Sequence, residues 1–150
     1  MKSLYKSNGL WFFGLSGSGK SFASKFLNKL ITNPFLIDGD DIRKNISFDL
    51  NYSIKDRKTQ VKRVYGLAKI CINQGFFPII STVYFDKKIL KDLERINIKL
   101  VEIKRNDSMV NSKIKNNKNV IGKDIFQEKI NCELILNDDN FKKKLKGLIK

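Results

Sequence analysis

Gly14-Leu15-Ser16-Gly17-Ser18-Gly19-Lys20-Ser21 is the stretch on which the fold turns. Before it runs the apolar block Leu10–Phe13. After it comes Ser21–Ile31, where Phe22, Phe26, Leu27, Leu30 and Ile31 recur on one helical stripe. A strand buried on both faces, then a G-x-x-x-x-G-K-[ST] run, then an amphipathic helix is the setting of a phosphate-binding loop. Glycines at 14, 17 and 19 let the backbone point successive N–H groups at phosphate oxygens, and the helix N-terminus adds its positive end. In such a loop Lys20 bridges β- and γ-phosphates and the Ser21 hydroxyl coordinates Mg²⁺. Gly14, Leu15, Ser16, Gly17, Ser18, Gly19, Lys20 and Ser21 are therefore the candidate cofactor-binding residues, with ATP and Mg²⁺ as the expected ligands. A Gly/Ser-rich turn without ligand is the bland alternative, and the complete motif in its proper context argues against it.

Outward from the loop, short apolar runs alternate with longer helical ones, as in βαβ units. Phe35–Ile37 reads as a second short buried strand ending at Asp38-Gly39-Asp40. Ser53 with Asp56 marks a helix start, and Val61, Val64, Tyr65, Ala68, Cys71 and Ile72 keep helical spacing up to Gly75. Phe76–Ser81 and Lys99–Ile103 read as strands around a short helix, Lys87–Arg95. Leu134–Leu136 is a fifth strand before a terminal helix with Phe141, Leu145, Leu148 and Ile149. The expectation is one α/β domain over residues 1–150.

The 150 residues hold 41% hydrophobic positions, enough for a packed interior, and no apolar run near the ~20 residues of a membrane span. The absence of histidine removes His-based triads and the commonest zinc ligand, and two isolated cysteines, Cys71 and Cys132, suggest neither disulfide scaffold nor metal knuckle. A cytoplasmic domain with no membrane partner is expected. The formal charge of +15 invites a nucleic-acid reading, yet the basic residues are 25 Lys to 5 Arg, and no Arg-aromatic alternation appears. A nucleotide-dependent nucleic-acid-binding protein is thus the remote alternative, and a small anionic nucleotide is the expected partner. A homodimer is left open.

Asp38-Gly39-Asp40-Asp41-Ile42-Arg43 follows the second strand, and in open α/β sheets ligands bind beyond the carboxyl ends of strands. Asp40 is the candidate base for an attacking hydroxyl, Arg43 the candidate clamp on the acceptor, and Asp38 a candidate substrate and Mg²⁺ contact. Helix capping is the competing reading for the aspartates. Arg105–Asp124 is rich in Asn and Lys and lacks a sustained period, which marks a candidate mobile lid around 105–123. Lys113, Lys115 and Lys118 lie within it, Lys118 being the best placed to fold over phosphates.

The ordered set GLSGSGKS, DGDDIR and Tyr52…Asp56-Arg57-Lys58…Gln60 resembles the adenylyl-sulfate kinase family. Its members read GLSGSGKST, DGDNVR and Phe-Ser-x-x-Asp-Arg-x-x-Asn. The likeness runs from Leu10 to Ser81 and resumes near Asn119–Ile125. It implies a three-layer α/β/α P-loop kinase fold with a five-stranded parallel sheet, and transfer of the ATP γ-phosphate to a ribose 3′-hydroxyl, by default that of adenylyl sulfate. It also implies that Asp40 is the general base beside Lys20, that Arg43 and Arg57 hold the acceptor's anionic portion, and that Tyr52 stacks on its base. Gln60 and Ser81 match further acceptor-site positions. The sequence departs from the family where Val120 replaces a second stacking aromatic and where Tyr84-Phe85-Asp86 replaces Ser-Pro-Tyr. Val120-Ile121-Gly122-Lys123-Asp124-Ile125 and Ser81-Thr82-Val83 are similar to a divergent branch of the family acting on a cytidine diphosphate-linked phosphoramidate in capsule biosynthesis, the alternative acceptor.

Overall fold

The computed structural model describes residues 4–106, 121 and 125–150. In chain order the elements are β1 (Gly9–Phe13), α1 (Lys20–Asn28), β2 (Pro34–Asp38), α2 (Gly39–Asn45), α3 (Ile54–Asn73) and β3 (Phe77–Thr82). A 3₁₀ turn (Lys87–Ile89) leads into α4 (Leu90–Arg95), followed by β4 (Ile98–Lys104), β5 (Glu133–Leu136) and α5 (Phe141–Gly147). The five strands are all parallel in the order β2-β3-β1-β4-β5.

β1 lies at the centre, Trp11 standing in register with Ile80 of β3 and Leu100 of β4. Successive strand side chains point to opposite faces, so β1 divides its residues between two cores. Trp11 and Phe13 join Ile80, Phe85 and Leu93 beneath Val61, Val64 and Ala68 of α3. Leu10 and Phe12 join Ile79, Val101 and Ile103 beneath Ala23 and Leu27 of α1 and Leu145 of α5. Helices cover both faces of the parallel sheet, which is the α/β/α arrangement the sequence implies. Among the described residues no helix is long and apolar enough to cross a membrane.

Three local readings change. The second strand is not buried on both faces: Phe35 and Leu36 are exposed and only Ile37 is buried, because β2 is an edge strand paired with β3 alone. The stripe on α1 is also narrower than its spacing implies. The helix ends at Asn28, and Phe22 and Leu30 remain exposed while Ala23 and Leu27 carry the packing. Finally, the aspartate cluster opens a helix, α2, whose N-cap is Asp38: its Oδ1 accepts the Asp40 N–H at 2.8 Å. Asp40 and Asp41 sit in the first turn, where the helix dipole favours negative charge. The Ser53 cap is as its sequence suggests, accepting the Asp56 N–H at 3.2 Å.

The edge assignment sets a contrast. Ile80→Ala, at a fully buried central position, is expected to lower unfolding stability by ~2–5 kcal/mol. Leu36→Ala on the exposed edge is expected to cost ~0.5 kcal/mol or less. Urea unfolding of both variants measures the difference, and equal losses would contradict this placement of β2.

Candidate functional site

β1 hands the chain to the phosphate loop at the carboxyl edge of the sheet, and two of its glycines are in the left-handed region, Gly17 at φ 83° and Gly19 at φ 111°. A side chain at Gly19 would also collide with Asn137, whose Cβ-to-Nδ2 approach would be only 2.5 Å. Asn137, just past β5, donates from Nδ2 to the Ser18 carbonyl at 3.0 Å and ties the loop to the far end of the chain. Lys20 opens α1 and is buried, its Nζ donating to the Gly14 and Leu15 carbonyls at 2.8 and 2.9 Å. Burial pushes its ammonium down to about 8, against the opposing pull of the Asp38 and Asp40 carboxylates. The Ser18 hydroxyl is buried in the same loop with no hydrogen-bond partner among the described residues.

A cavity of about 340 Å³ opens beside this loop. Gly17, Gly19, Lys20 and Ser21 form one wall, while Asp38, Asp40, Arg43, Tyr52, Arg57 and Gln60 form another. The second wall is built by α2, the start of α3 and the segment between them. Arg43 donates from Nη1 to the Asn51 carbonyl at 2.8 Å and places its guanidinium carbon 4.3 Å from the Tyr52 ring centre. Arg57 donates from Nε to the Tyr52 carbonyl at 3.0 Å, with its guanidinium carbon 5.4 Å from the same ring. Both are within cation–π range. The buried Gln60 amide donates from Nε2 to the Gly39 carbonyl at 3.2 Å, and its Oε1 lacks a partner among the described residues.

The segment carrying Tyr52 is braced from behind. Arg63 of α3 forks onto Asp49, Nη1 to Oδ1 at 2.6 Å and Nη2 to Oδ2 at 2.9 Å, and also reaches the buried Ser47 hydroxyl at 3.2 Å. These bonds hold the Asp49 carboxyl below its usual range. Asp56 Oδ2 accepts the Asn51 N–H at 3.0 Å, closing the segment onto the start of α3.

The structure thus brings Ser16, Gly17, Gly19, Lys20, Ser21, Asp38, Asp40, Arg43, Tyr52, Arg57, Gln60 and Ser81 around one cavity. Gly14, Leu15 and Ser18 support the loop rather than line the space, Leu15 packing against the core. The Ser81 hydroxyl is engaged with that of Ser24 at 2.5 Å. Lys113, Lys115, Lys118, Val120 and nearly all of the expected lid lie outside the described residues. Six lining residues are not singled out as site residues by sequence: Phe22, Gly39, Val61, Thr82, Val83 and Tyr84. Thr82 accepts from the Trp11 indole N–H at 2.8 Å and donates to the Tyr84 carbonyl at 2.9 Å, which fixes the turn after β3. Burial, together with Asp86 and Glu128, pushes the Tyr84 phenol up to about 12. Phe22 was discoverable, since it stands where the family motif quoted above has threonine. Asn137 and the Arg63–Asp49 pair carry no local signal.

A parallel sheet with helices on both faces, a phosphate loop after its central strand and a second charged wall facing that loop define a P-loop kinase fold. Residues 6–124 match the family described as Adenylylsulphate kinase, and the chain belongs to that family. An adenylyl-sulfate kinase of Buchnera aphidicola is 37% identical over 86 residues, covering 55% of this chain and 42% of the relative. One from Shigella flexneri is 41% identical over 78 residues, 49% of this chain and 39% of the relative. The matched stretches therefore span about two fifths of these relatives' lengths. Among solved structures, the Mycobacterium tuberculosis APS kinase CysC in complex with AMPPNP and APS superposes with a TM-score of 0.77 at 19% identity, covering 95% of each chain. A gluconokinase from Sinorhizobium meliloti gives 0.60 at 11% identity, covering 97% of this chain and 91% of its own. At such identities these two likenesses establish the fold alone.

The buried ammonium gives ligand binding a pH dependence of definite sign. A bound polyphosphate favours the charged form of Lys20 and so raises its pKa above the value of about 8 in the free chain. Affinity for MgATP is then expected to be level below pH 8 and to fall above it, by at most ~10-fold per pH unit. Calorimetric titrations between pH 7 and 9.5 test this, with Lys20→Arg expected to flatten the decline. A decline of equal steepness in that variant would assign it to another group.

Proposed function

We propose that this chain transfers the γ-phosphate of ATP to the ribose 3′-hydroxyl of adenylyl sulfate. The observation that carries the reading is the single cavity shared by the phosphate loop and by Asp40, Arg43, Tyr52 and Arg57. A kinase has to hold donor and acceptor in line, and its catalysis is largely positioning and charge stabilisation. Family membership and the names of the relatives favour adenylyl sulfate over the cytidine diphosphate-linked acceptor.

In this reading the loop N–H groups and Lys20 hold the triphosphate, Lys20 exchanging its two loop carbonyls for phosphate oxygens. Arg43 and Arg57 take the phosphate–sulfate portion of the acceptor, with the Tyr52 ring beneath its base. The unpartnered Gln60 Oε1 offers an acceptor to a ligand N–H or O–H. Asp40 takes the proton of the 3′-hydroxyl as its oxygen bonds to the γ-phosphorus and the bond to the β-phosphate oxygen breaks, releasing ADP. The Ser21 hydroxyl and the Asp38 carboxylate, both on the cavity wall, are hard oxygen donors of the kind magnesium takes alongside phosphate. Magnesium, when bound, neutralises charge on the β- and γ-oxygens.

Lys20→Ala is expected to remove both nucleotide affinity and turnover. Asp40→Asn is expected to keep MgATP binding and lower kcat by ~10²–10⁴-fold. Initial-rate assays with adenylyl sulfate beside a cytidine diphosphate-linked phosphoramidate, paired with calorimetric MgATP binding, supply the measurements. Near-normal turnover in Asp40→Asn would remove the base assignment, and a preference for the cytidine acceptor would replace the substrate.

The brace behind Tyr52 yields a separate expectation. Asp49→Asn weakens the Arg63 fork, so the KM for adenylyl sulfate rises several-fold while the KM for ATP stays unchanged. A matching rise in both constants would point to general loosening of the fold instead.

A further inference from the structure

Phe22 directly follows the Lys20-Ser21 pair, where the family motif GLSGSGKST has threonine. An aromatic ring in an amphipathic helix is ordinarily turned to the core, yet Phe22 is 47% exposed and lines the same cavity as Gly19, Lys20 and Ser21. The ring does not hang free. It stacks with Phe26 at 6.1 Å between centroids and 6° between planes, and with Phe141 of α5 at 5.9 Å and 26°. Lys142 Nζ stands 5.9 Å from the ring centre, so packing fixes the orientation of a residue that keeps nearly half of its surface open.

Its position in the topology matters as much. Tyr52 follows β2, at one edge of the sheet, whereas Phe141 follows β5, at the other edge, and the phosphate loop rises from β1 between them. Tyr52 and Phe22 are two aromatic residues lining the cavity beside one phosphate loop. Two nucleotides joined at a transferring phosphate have two bases to place, one on each side.

We infer that Phe22 is the stacking platform for the purine of the nucleoside triphosphate donor, a role that the threonine of the family motif cannot fill. The inference rests on the kinase reading and adds a residue that sets donor affinity. Base–aromatic stacking is tolerant of base identity, because every base has a π-face.

The test separates the base from the phosphates. Phe22→Thr and Phe22→Ala are expected to weaken MgATP binding by ~10-fold, while binding of inorganic tripolyphosphate and of ribose 5-triphosphate stays as in the wild type. Phe22→Tyr, which keeps the ring, is expected to retain MgATP affinity. Unchanged tripolyphosphate binding also reports that each variant is folded. MgATP binding undiminished in Phe22→Thr would overturn the inference and leave the kinase reading intact. An equal loss for ribose 5-triphosphate would overturn it too, by placing the sugar on the ring. A wild-type chain that binds tripolyphosphate no worse than MgATP, with no turnover of adenylyl sulfate, would remove both.

Discussion

A buried ammonium is the constraint around which this molecule is arranged. Lys20 is nearly out of solvent, and its charge is met by the carbonyls of Gly14 and Leu15 and by the nearby carboxylates of Asp38 and Asp40. A buried charge requires partners, and each partner here has a structural source. The carbonyls are available because the glycine-rich loop curls around the lysine. The carboxylates are available because β3 stands between β1 and β2, which puts the end of β2 and the start of α2 beside the loop. The same arrangement leaves the lysine hydrogen-bonded to two neutral carbonyls, which are weaker partners for an ammonium than charged oxygens are.

The second wall is held by a different principle. Its backbone between α2 and α3 has no strand or helix to satisfy it, so side chains of the flanking helices do so. Arg43 and Arg57 serve the Asn51 and Tyr52 carbonyls, Asp56 serves the Asn51 N–H, and Arg63 ties down Asp49 and Ser47. Two of these arginines also reach the cavity, so the groups that shape the wall are among those offered to a ligand. Rigidity and chemistry share the same guanidinium groups.

How much of this is legible in the sequence follows from the range of each interaction. The phosphate loop, the Ser53 cap and the α3 stripe of Val61, Val64 and Ala68 are set by residues within a turn or two of one another, and their spacing displays them. The exposure of β2 depends on which strand ends the sheet, a property of the whole topology that a run such as Phe35–Ile37 does not encode. The Asn137 bond to Ser18 joins residues 119 positions apart, and the Arg63 fork joins residues 14 apart, neither with a motif to announce it. Phe22 was misplaced for a related reason: helical periodicity says which residues share a face, and the neighbouring elements determine how much of that face is covered.

The side chain of Gln127 carries a last consequence. Its Oε1 accepts the Phe85 N–H at 3.0 Å and its Nε2 donates to the Phe85 carbonyl at 2.9 Å, the pair of bonds that an adjoining strand would make. One amide therefore fastens the returning chain to the turn after β3. On the outgoing side, the Lys104 carbonyl accepts from the Asn137 backbone N–H at 2.8 Å at the end of the paired strands. Both polar groups of the Phe85 backbone thus depend on one side chain, so Gln127→Leu would strip the N–H and the carbonyl of the same partner at once and release the returning chain from the turn.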